Sequence, residues 1–322
     1  MSSHDGERAD AAANVPRIGI LGAARTRQGL GPFLARWLEK AGATVNGVAG
    51  REFMRTETTA VEISKQLGHP VAAYENAEQL AANVDALVVA CPAEGHLSGL
   101  DAALAAGVPC LCEKPLVTAA QTDEALRRIA AFRERGLLLV ENCQWPFTLP
   151  ALHELHPELR EQPVRTLAMR LSPAAPGRVM IQDSLSHVLS LLQALVPLPV
   201  DAKLKAVVES EPGPAAEHNV VRFEVTGGTE NVAVALHLQC CPQQPRPAWY
   251  EVNGMRVDRQ LGPNYEISFA ANDGRVVNVE DPLAKLVYGF VANLKRTPLE
   301  RTYAFDAIEL RLRLYSGILN GL

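Results

Sequence analysis

The sequence predicts a two-part protein, α/β followed by α+β. The first part is a doubly wound parallel sheet of the Rossmann type; the second is a large, mostly antiparallel open-faced sheet with helices. Three observations carry this reading. The first half of the 322 residues alternates short apolar runs with amphipathic stretches at helical spacing, the rhythm of right-handed β-α-β units. After about Asn142 the rhythm changes to successive strands with few helices between them. At roughly 100–200 residues per domain, a chain of this length divides naturally into two. The divisions are a polar tail over 1–14, a first domain over 15–142 and a second over 143–322.

Arg17–Ala23 (RIGILGA) is a short apolar run ending at a glycine, as a buried strand feeding a turn does. From Gly31 the apolar positions Phe33, Leu34, Trp37, Leu38 and Ala41 recur at helical spacing, with Pro32 suited to the first turn and Gly42 to the stop. Thr44–Ala49 reads as the next strand and Thr58–Leu67 as the next helix. Val84–Ala90 (VDALVVA) is a third strand, followed by a helix over His96–Ala106 that stops at Gly107. Val108–Cys112 is a fourth, a helix over Thr122–Arg135 follows, and Leu137–Glu141 closes the series.

In the second half, helices at Leu149–Leu159 and Ser184–Leu195 flank a strand at Thr166–Leu171. Strands follow at Lys203–Glu209, Val220–Thr226, Val232–Gln239, Trp249–Val257 and Tyr265–Ala270. Val221, Phe223 and Val225 alternate with Arg222, Glu224 and Thr226, the period of a sheet covered on one face. Gly227-Gly228, Asn253-Gly254 and Asp273-Gly274 mark turns. Two helices end the chain, and in the last Phe305, Ile308, Leu312, Tyr315 and Leu319 form one apolar stripe suited to a core.

Composition narrows the class. Hydrophobic residues at 48% and charged residues at 21% describe a globular chain rather than a disordered one. The formal net charge of −5 gives no global field toward nucleic acid or an anionic membrane, although a small acidic group can still be read locally. No apolar run is long enough to span a bilayer, and residues 1–14 lack the charged-then-apolar layout of a signal peptide. The six cysteines (Cys91, Cys110, Cys112, Cys143, Cys240 and Cys241) form no C-x-x-C pair, and several lie in apolar runs. They read as buried reduced thiols of a cytoplasmic protein, with disulfides as the alternative.

The turn after the first strand, Gly22-Ala23-Ala24-Arg25-Thr26-Arg27-Gln28-Gly29-Leu30-Gly31, joins a strand to a helix N-terminus. Backbone N–H groups and the helix dipole make such a turn an anion site for a pyrophosphate. G-x-G-x-x-G is only partly met: Gly22 fits, but Ala24 and Arg27 stand at the second and third glycine positions. An ordinary strand–helix loop is the other reading. At the end of the second strand, where an acidic residue often binds ribose hydroxyls, the chain has Arg51. A guanidinium there suits a 2′-phosphate and favours NADP over NAD, though a solvated arginine is the plainer alternative.

Two further strand ends, Cys91-Pro92-Ala93-Glu94-Gly95-His96 and Glu113-Lys114-Pro115, lie where open parallel sheets bind ligands. A lysine beside a nicotinamide could trade a proton with a substrate hydroxyl, provided burial lowers its pKa; a lysine before proline is otherwise a surface turn. Asp183-Ser184-Leu185-Ser186-His187 opens a predicted helix, and i, i+4 spacing puts the carboxylate and imidazole on one face. The acid could orient the ring for proton relay, or Asp183 is simply an N-terminal helix residue and His187 a core histidine. HELH around His153 and His156 is not H-E-x-x-H, and Cys240-Cys241 has no histidine at ligand spacing, so no metal is expected.

Taken together, the order and spacing of VPCLCEKPL, the upstream ACPAEGH and Asp183-x-x-x-His187 resemble the Gfo/Idh/MocA family, named for glucose–fructose oxidoreductase and inositol dehydrogenase. The likeness runs over essentially the whole chain from Val15. It implies an NAD(P)-dependent oxidoreductase that moves a hydride between nicotinamide and an alcohol–carbonyl pair of a sugar, cyclitol or related small molecule. It assigns cofactor contacts to Gly22, Ala23, Ala24, Arg25, Arg51, Cys91, Pro92, His96, Glu113 and Lys114. Lys114 and His187 take proton transfer, Asp183 orients and binds substrate, and Gln144 and Trp145 join Asp183 and His187 facing it. The resemblance also implies a homodimer or homotetramer built through the C-terminal sheet, with 15–142 binding the dinucleotide and 143–322 shaping the substrate site. The chain departs from the family pattern at Ala24, Arg27, Ala93, the Asn142-Cys143-Gln144-Trp145 stretch, Leu185 and Ser190. Two alternatives stand beside this function: a reductase of less polar carbonyls or imines, and an NAD(P)-sensing regulator without turnover.

Overall fold

Six short, apolar, parallel strands make the first sheet: β1 (Arg17–Leu21), β2 (Thr44–Ala49), β3 (Ala72–Tyr74), β4 (Ala86–Val89), β5 (Cys110–Cys112) and β6 (Leu139–Glu141). Their spatial order is β3-β2-β1-β4-β5-β6, so the winding reverses between β1 and β4. The computed structural model describes residues 15–24, 29–210, 213, 215–227 and 231–322. The predicted tail, Arg25 and Arg27 of the glycine turn, and Gly228 lie outside the described residues.

The strands are mostly apolar because helices cover both faces. On one face α1 (Gly31–Lys40) and α2 (Phe53–Leu67) pack Leu34, Leu38 and Ile63 onto Ile18, Ile20 and Val88. On the other, α3 (Ala77–Ala81), α4 (His96–Ala106) and α5 (Thr122–Glu134) pack Leu80, Leu100, Ile129 and Phe132 onto Leu87 and Val89. The expected elements here form with small shifts in their ends. Two elements, β3 and α3, had no sequence signal. Each is shorter than the window over which periodicity is legible, and α3 is held by Asn76, whose side chain accepts from Gln79 N. Helix α2 starts five residues before its predicted position, because its first turn presents Phe53 and Met54 to solvent and shows no apolar stripe.

The second sheet has eight strands: β7 (Thr166–Leu171), β8 (Lys203–Glu209), β9 (His218–Thr226), β10 (Val232–Gln239), β11 (Ala248–Val252), β12 (Met255–Leu261), β13 (Ile267–Ala271) and β14 (Val276–Val279). Their order is β14-β13-β12-β11-β7-β10-β9-β8. Only β7 and β10 run parallel; the other pairs are antiparallel. The stretch Trp249–Val257, predicted as one strand, is the hairpin β11–β12. Asn253 (φ 50°) and Gly254 (φ 83°) turn it, the positive-φ pair of a tight hairpin. Strand β14 is an addition at the sheet edge.

One face of this sheet is covered by α6 (Leu149–Leu155), α7 (Arg178–Leu195) and α9 (Phe305–Gly321), with Leu152, Leu189, Leu192 and Ile318 packed on Val221, Leu236, Tyr250 and Phe269. Helix α7 begins six residues earlier than predicted, released by Gly177 at φ 71°. The last two helices return to the first sheet. Helix α8 (Pro282–Leu294) places Leu286, Val287 and Phe290 against the α1 face. The stripe on α9 serves both sheets: Phe305, Ile308 and Leu312 join the first core, Tyr315 and Leu319 the second. No helix among the described residues is long and apolar enough to cross a membrane.

Candidate active site

The winding reverses between β1 and β4, so the connections leaving their carboxyl ends turn to opposite faces of the sheet, the place where open sheets form a ligand crevice. Gly22 leaves β1 at φ 85°, its N–H donates to Ala49 O at 2.8 Å, and a Cβ there would stand 2.5 Å from the backbone nitrogen of Cys91. Glycine is what lets the β1 turn lie against the β4 exit. The second close approach is made by Gly31, the first residue of α1, where a Cβ would meet Ala23 O at 2.0 Å. The helix-to-strand packing that a third glycine gives in G-x-G-x-x-G is thus supplied four residues after Arg27. No side chain caps α1, so backbone donors at its N-terminus face the same turn. Ala23 is buried and Ala24 half-buried beside it, and Arg51 is exposed at the end of β2. These are the positions that could hold a dinucleotide.

Strand β5 delivers Glu113 and Lys114 into the crevice, and the loop after it is fastened from several sides. Glu113 N–H donates to Val89 O at 2.8 Å, and the Asn142 amide donates to the Glu113 carboxylate. Burial pushes the Glu113 pKa up, against the pull of the Asn142 hydrogen bond and the Lys114 charge. Leu116 N–H donates to Glu141 Oε1 at 3.1 Å; Glu141 Oε2 in turn takes Arg311 Nε at 2.6 Å, and Arg311 also donates to Gln193. His96, expected beside the nicotinamide, is instead a clamp inside the protein, only 1% exposed. Its Nε2 lies 2.7 Å from Cys91 O and its Nδ1 3.0 Å from Pro115 O. It ties the β4 exit to the lysine loop, and burial lowers its pKa despite the carbonyls around it. Cys91 is a half-buried thiol pushed up to about 11 by burial, and Pro92 is exposed next to it.

Across the crevice stands α7. Lys114 Nζ donates to the main-chain carbonyl of Asp183 at 2.9 Å, so the lysine of the first sheet reaches the helix of the second. Asp183 is not at a helix start but one turn and a half inside α7, with its side chain exposed. Its carboxylate makes no hydrogen bond to His187 among the described residues, so the expected acid–imidazole pair is not formed. His187 is held otherwise. Its ring sits edge-on to Trp145, 6.3 Å between centroids, and its Nδ1 is buried with no hydrogen-bond partner. Burial holds its pKa well below the ordinary histidine range, and the charges of Lys114 and Arg259 push it the same way. At neutral pH the ring is an uncharged base.

Trp145 is 5% exposed and packs edge-on to Tyr250 and Phe269; it is the wall that sets His187, while the neighbouring Gln144 is half-buried. Arg259 was not visible in the sequence as a site residue. It lies 5.6 Å over the Trp145 ring, and the one available signal was parity: on β12 it shares the inward face with buried Val257. The structure thus gathers Lys114, the Asp183 carbonyl, His187, Trp145 and Arg259. All six cysteines are unpaired, and no group of three or more metal-ligating side chains forms among the described residues.

Residues 16–142 match the model of GFO_IDH_MocA, an oxidoreductase family with an NAD-binding Rossmann fold. The first part of the chain is similar to this family. Among curated relatives, the chain is 35% identical over 151 residues to a dTDP-3,4-didehydro-2,6-dideoxy-alpha-D-glucose 3-reductase of Actinomadura kijaniata, covering 46% of this chain and 40% of that one. It is 30% identical over 178 residues to a UDP-N-acetylglucosamine 3-dehydrogenase of Acidithiobacillus ferrooxidans, covering 54% and 55%. The matches thus span about half the length of these relatives or less. In three dimensions the likeness extends over nearly the whole chain. A mutant of a 3-ketoreductase from Actinomadura kijaniata, solved with TDP-benzene and NADP, superposes with a TM-score of 0.68 at 19% identity, over 96% of this chain and 97% of the other. At that identity the superposition speaks for the fold, which both sheets share.

Proposed function

We propose that this protein is a Gfo/Idh/MocA-type, NADP-dependent oxidoreductase of a sugar or cyclitol, interconverting an alcohol and a carbonyl. The observation that carries the reading is the convergence of Lys114 and His187, from opposite sheets, on the crevice between β1 and β4. A nicotinamide held at the β1 turn would supply the hydride chemistry. The chain's own residues deal with the proton and the oxygen. In oxidation, the uncharged His187 takes the hydroxyl proton while the Lys114 ammonium stabilises the developing oxyanion; in reduction the same groups return it. Residues 15–142 hold the dinucleotide, with Gly22 to Arg25 at the pyrophosphate and Arg51 at the 2′-phosphate, and 143–322 shape the substrate side with Gln144, Trp145, Asp183 and His187. The names of the relatives support a nucleotide-activated sugar as one substrate class. The uncovered face of the second sheet, where Arg256 stacks over Trp249 at 4.3 Å, is the surface for a homodimer or homotetramer, and the protein is assigned to the cytoplasm.

The test is a fluorescence titration with NADPH and NADH, followed by a turnover screen with dTDP-sugars, UDP-N-acetylglucosamine, inositols and simple ketones. NADPH is expected to bind about tenfold or more tightly than NADH, the worth of a charge-assisted contact, and Arg51→Ala to erase the difference. Tight cofactor binding without turnover of any compound would move the protein to the sensing class.

A further inference from the structure

Arg259 has no use in the proton transfer just described, yet its position is costly. Among the described residues no carboxylate pairs with its guanidinium. Nη2 donates to Arg246 O at 2.9 Å, and Nε is buried with no hydrogen-bond partner. The acids of the site and of β12 are engaged or turned away. Asp258 is held by Arg256 through both carboxylate oxygens, Glu113 by Asn142, and Asp183 is exposed on α7. Lys114 adds a second positive charge on the opposite wall, bound only to a main-chain carbonyl. Both charges bear on His187, and both lower its pKa. A partly buried guanidinium with an unused N–H, sharing an uncharged base with a second cation, is unfavourable unless an anion completes it. Arginine's planar fork suits the two oxygens of a carboxylate or phosphate.

We infer that Arg259 is a specificity residue that anchors an anionic group, carboxylate or phosphate, carried by the substrate close to the carbon that exchanges the hydride. This rests on the oxidoreductase reading above and narrows it: a neutral polyol leaves the guanidinium unsatisfied, whereas an acidic sugar or a sugar phosphate neutralises it. The anion would also lie beside Trp145, whose ring face already carries the guanidinium at 5.6 Å, so the arginine is aimed before ligand arrives.

Three matched probes decide it: glucose, glucuronate and glucose 6-phosphate, titrated by calorimetry into the free protein and into the protein loaded with NADPH. At least one anion is expected to bind about tenfold or more tightly than glucose. Preference for glucuronate assigns a carboxylate, and preference for glucose 6-phosphate a phosphate. Arg259→Gln should bring the anion to within about threefold of glucose, and Arg259→Lys should restore part of the gap, with both variants checked for native circular dichroism. NADPH affinity, read by its fluorescence, should stay within about twofold in both. Equal binding of the three probes, binding of none at millimolar concentration, or a preference that survives Arg259→Gln overturns the inference. If the anion preference depends on Arg259 while NADPH fails to bind, the anion site stands and the oxidoreductase reading falls.

Discussion

Arg311 and Glu141 meet inside the protein, Nε to Oε2 at 2.6 Å, with side chains 9% and 3% exposed. The pair joins α9 to the end of β6, and through Glu141 Oε1 it also holds Leu116 N–H, two residues after Lys114. Removing one partner leaves a buried charge alone, which costs about 3–5 kcal/mol. Arg311→Met is therefore expected to lower the unfolding free energy by about that amount in a urea titration. Adding Glu141→Gln to Arg311→Met should recover part of the loss, because a neutral amide oxygen still accepts from Leu116. A single variant as stable as the parent would show the pair to be incidental.

Gly31 predicts a sharper local effect. A Cβ at this position would stand 2.0 Å from Ala23 O, and the contact is backbone, so α1 itself must move. Gly31→Ala should cost about 1–3 kcal/mol of stability, as overpacking does, and should weaken NADPH binding, since α1 frames the crevice. Gly289→Ala is the control. This glycine is exposed in the middle of α8 with nothing within 4 Å of a Cβ, and exchange there should stabilise by up to about 1 kcal/mol through helix propensity. Thermal melts of the two variants should move in opposite directions.

The contrast between those glycines shows what could be read from the sequence. The alternation of apolar runs with helical stripes made β1, β4 and α1 legible, because both faces of the first sheet are covered and β4, and β1 after Arg17, are apolar throughout. The single stripe of α9 was legible as a stripe, but nothing in it marked that Phe305 and Leu319 face different sheets. The candidate site divides in the same way. Lys114 and His187 stand in motifs with a recognisable local order, whereas Arg259 owes its place to strand parity on β12 and to the fold that carries it over Trp145. The expected partnership of Asp183 with His187 rested on i, i+4 spacing alone, which fixes a shared helix face but not where a carboxylate points.

The buried histidines give stability a direction with pH. In the unfolded chain His187 and His96 titrate near about 6.5; in the folded protein burial holds both below that. As pH falls through about 6.5 the unfolded state takes protons that the native state refuses, so stability is full above this range and declines below it, down to the depressed folded values. His187→Gln removes one such site. Unfolding free energies measured from about pH 7.5 to about pH 5 should therefore fall less steeply in the variant than in the parent. Parallel curves would mean that the His187 ring takes up protons in the fold as it does in the unfolded chain.

Lys114 and His187 carry the catalytic proposal, and their arrangement makes a prediction about pairs rather than singles. Lys114 Nζ is already anchored to the Asp183 carbonyl, one helical turn before His187, so both groups can address one substrate oxygen placed over that turn. Lys114→Met keeps much of the side-chain stem but removes the charge and the proton. NADPH binding should stay within a few-fold of normal, while turnover on a verified substrate falls by about 10²–10⁴, the usual worth of general acid–base catalysis. His187→Ala should cost a comparable factor. The double variant should lose less than the product of the two, because both groups serve one step and the second removal finds that step already impaired. Losses that multiply would place the two residues in separate steps. Turnover intact in Lys114→Met would make the lysine a tether between the sheets, holding α7 through a carbonyl, and would move the proton transfer to His187 alone.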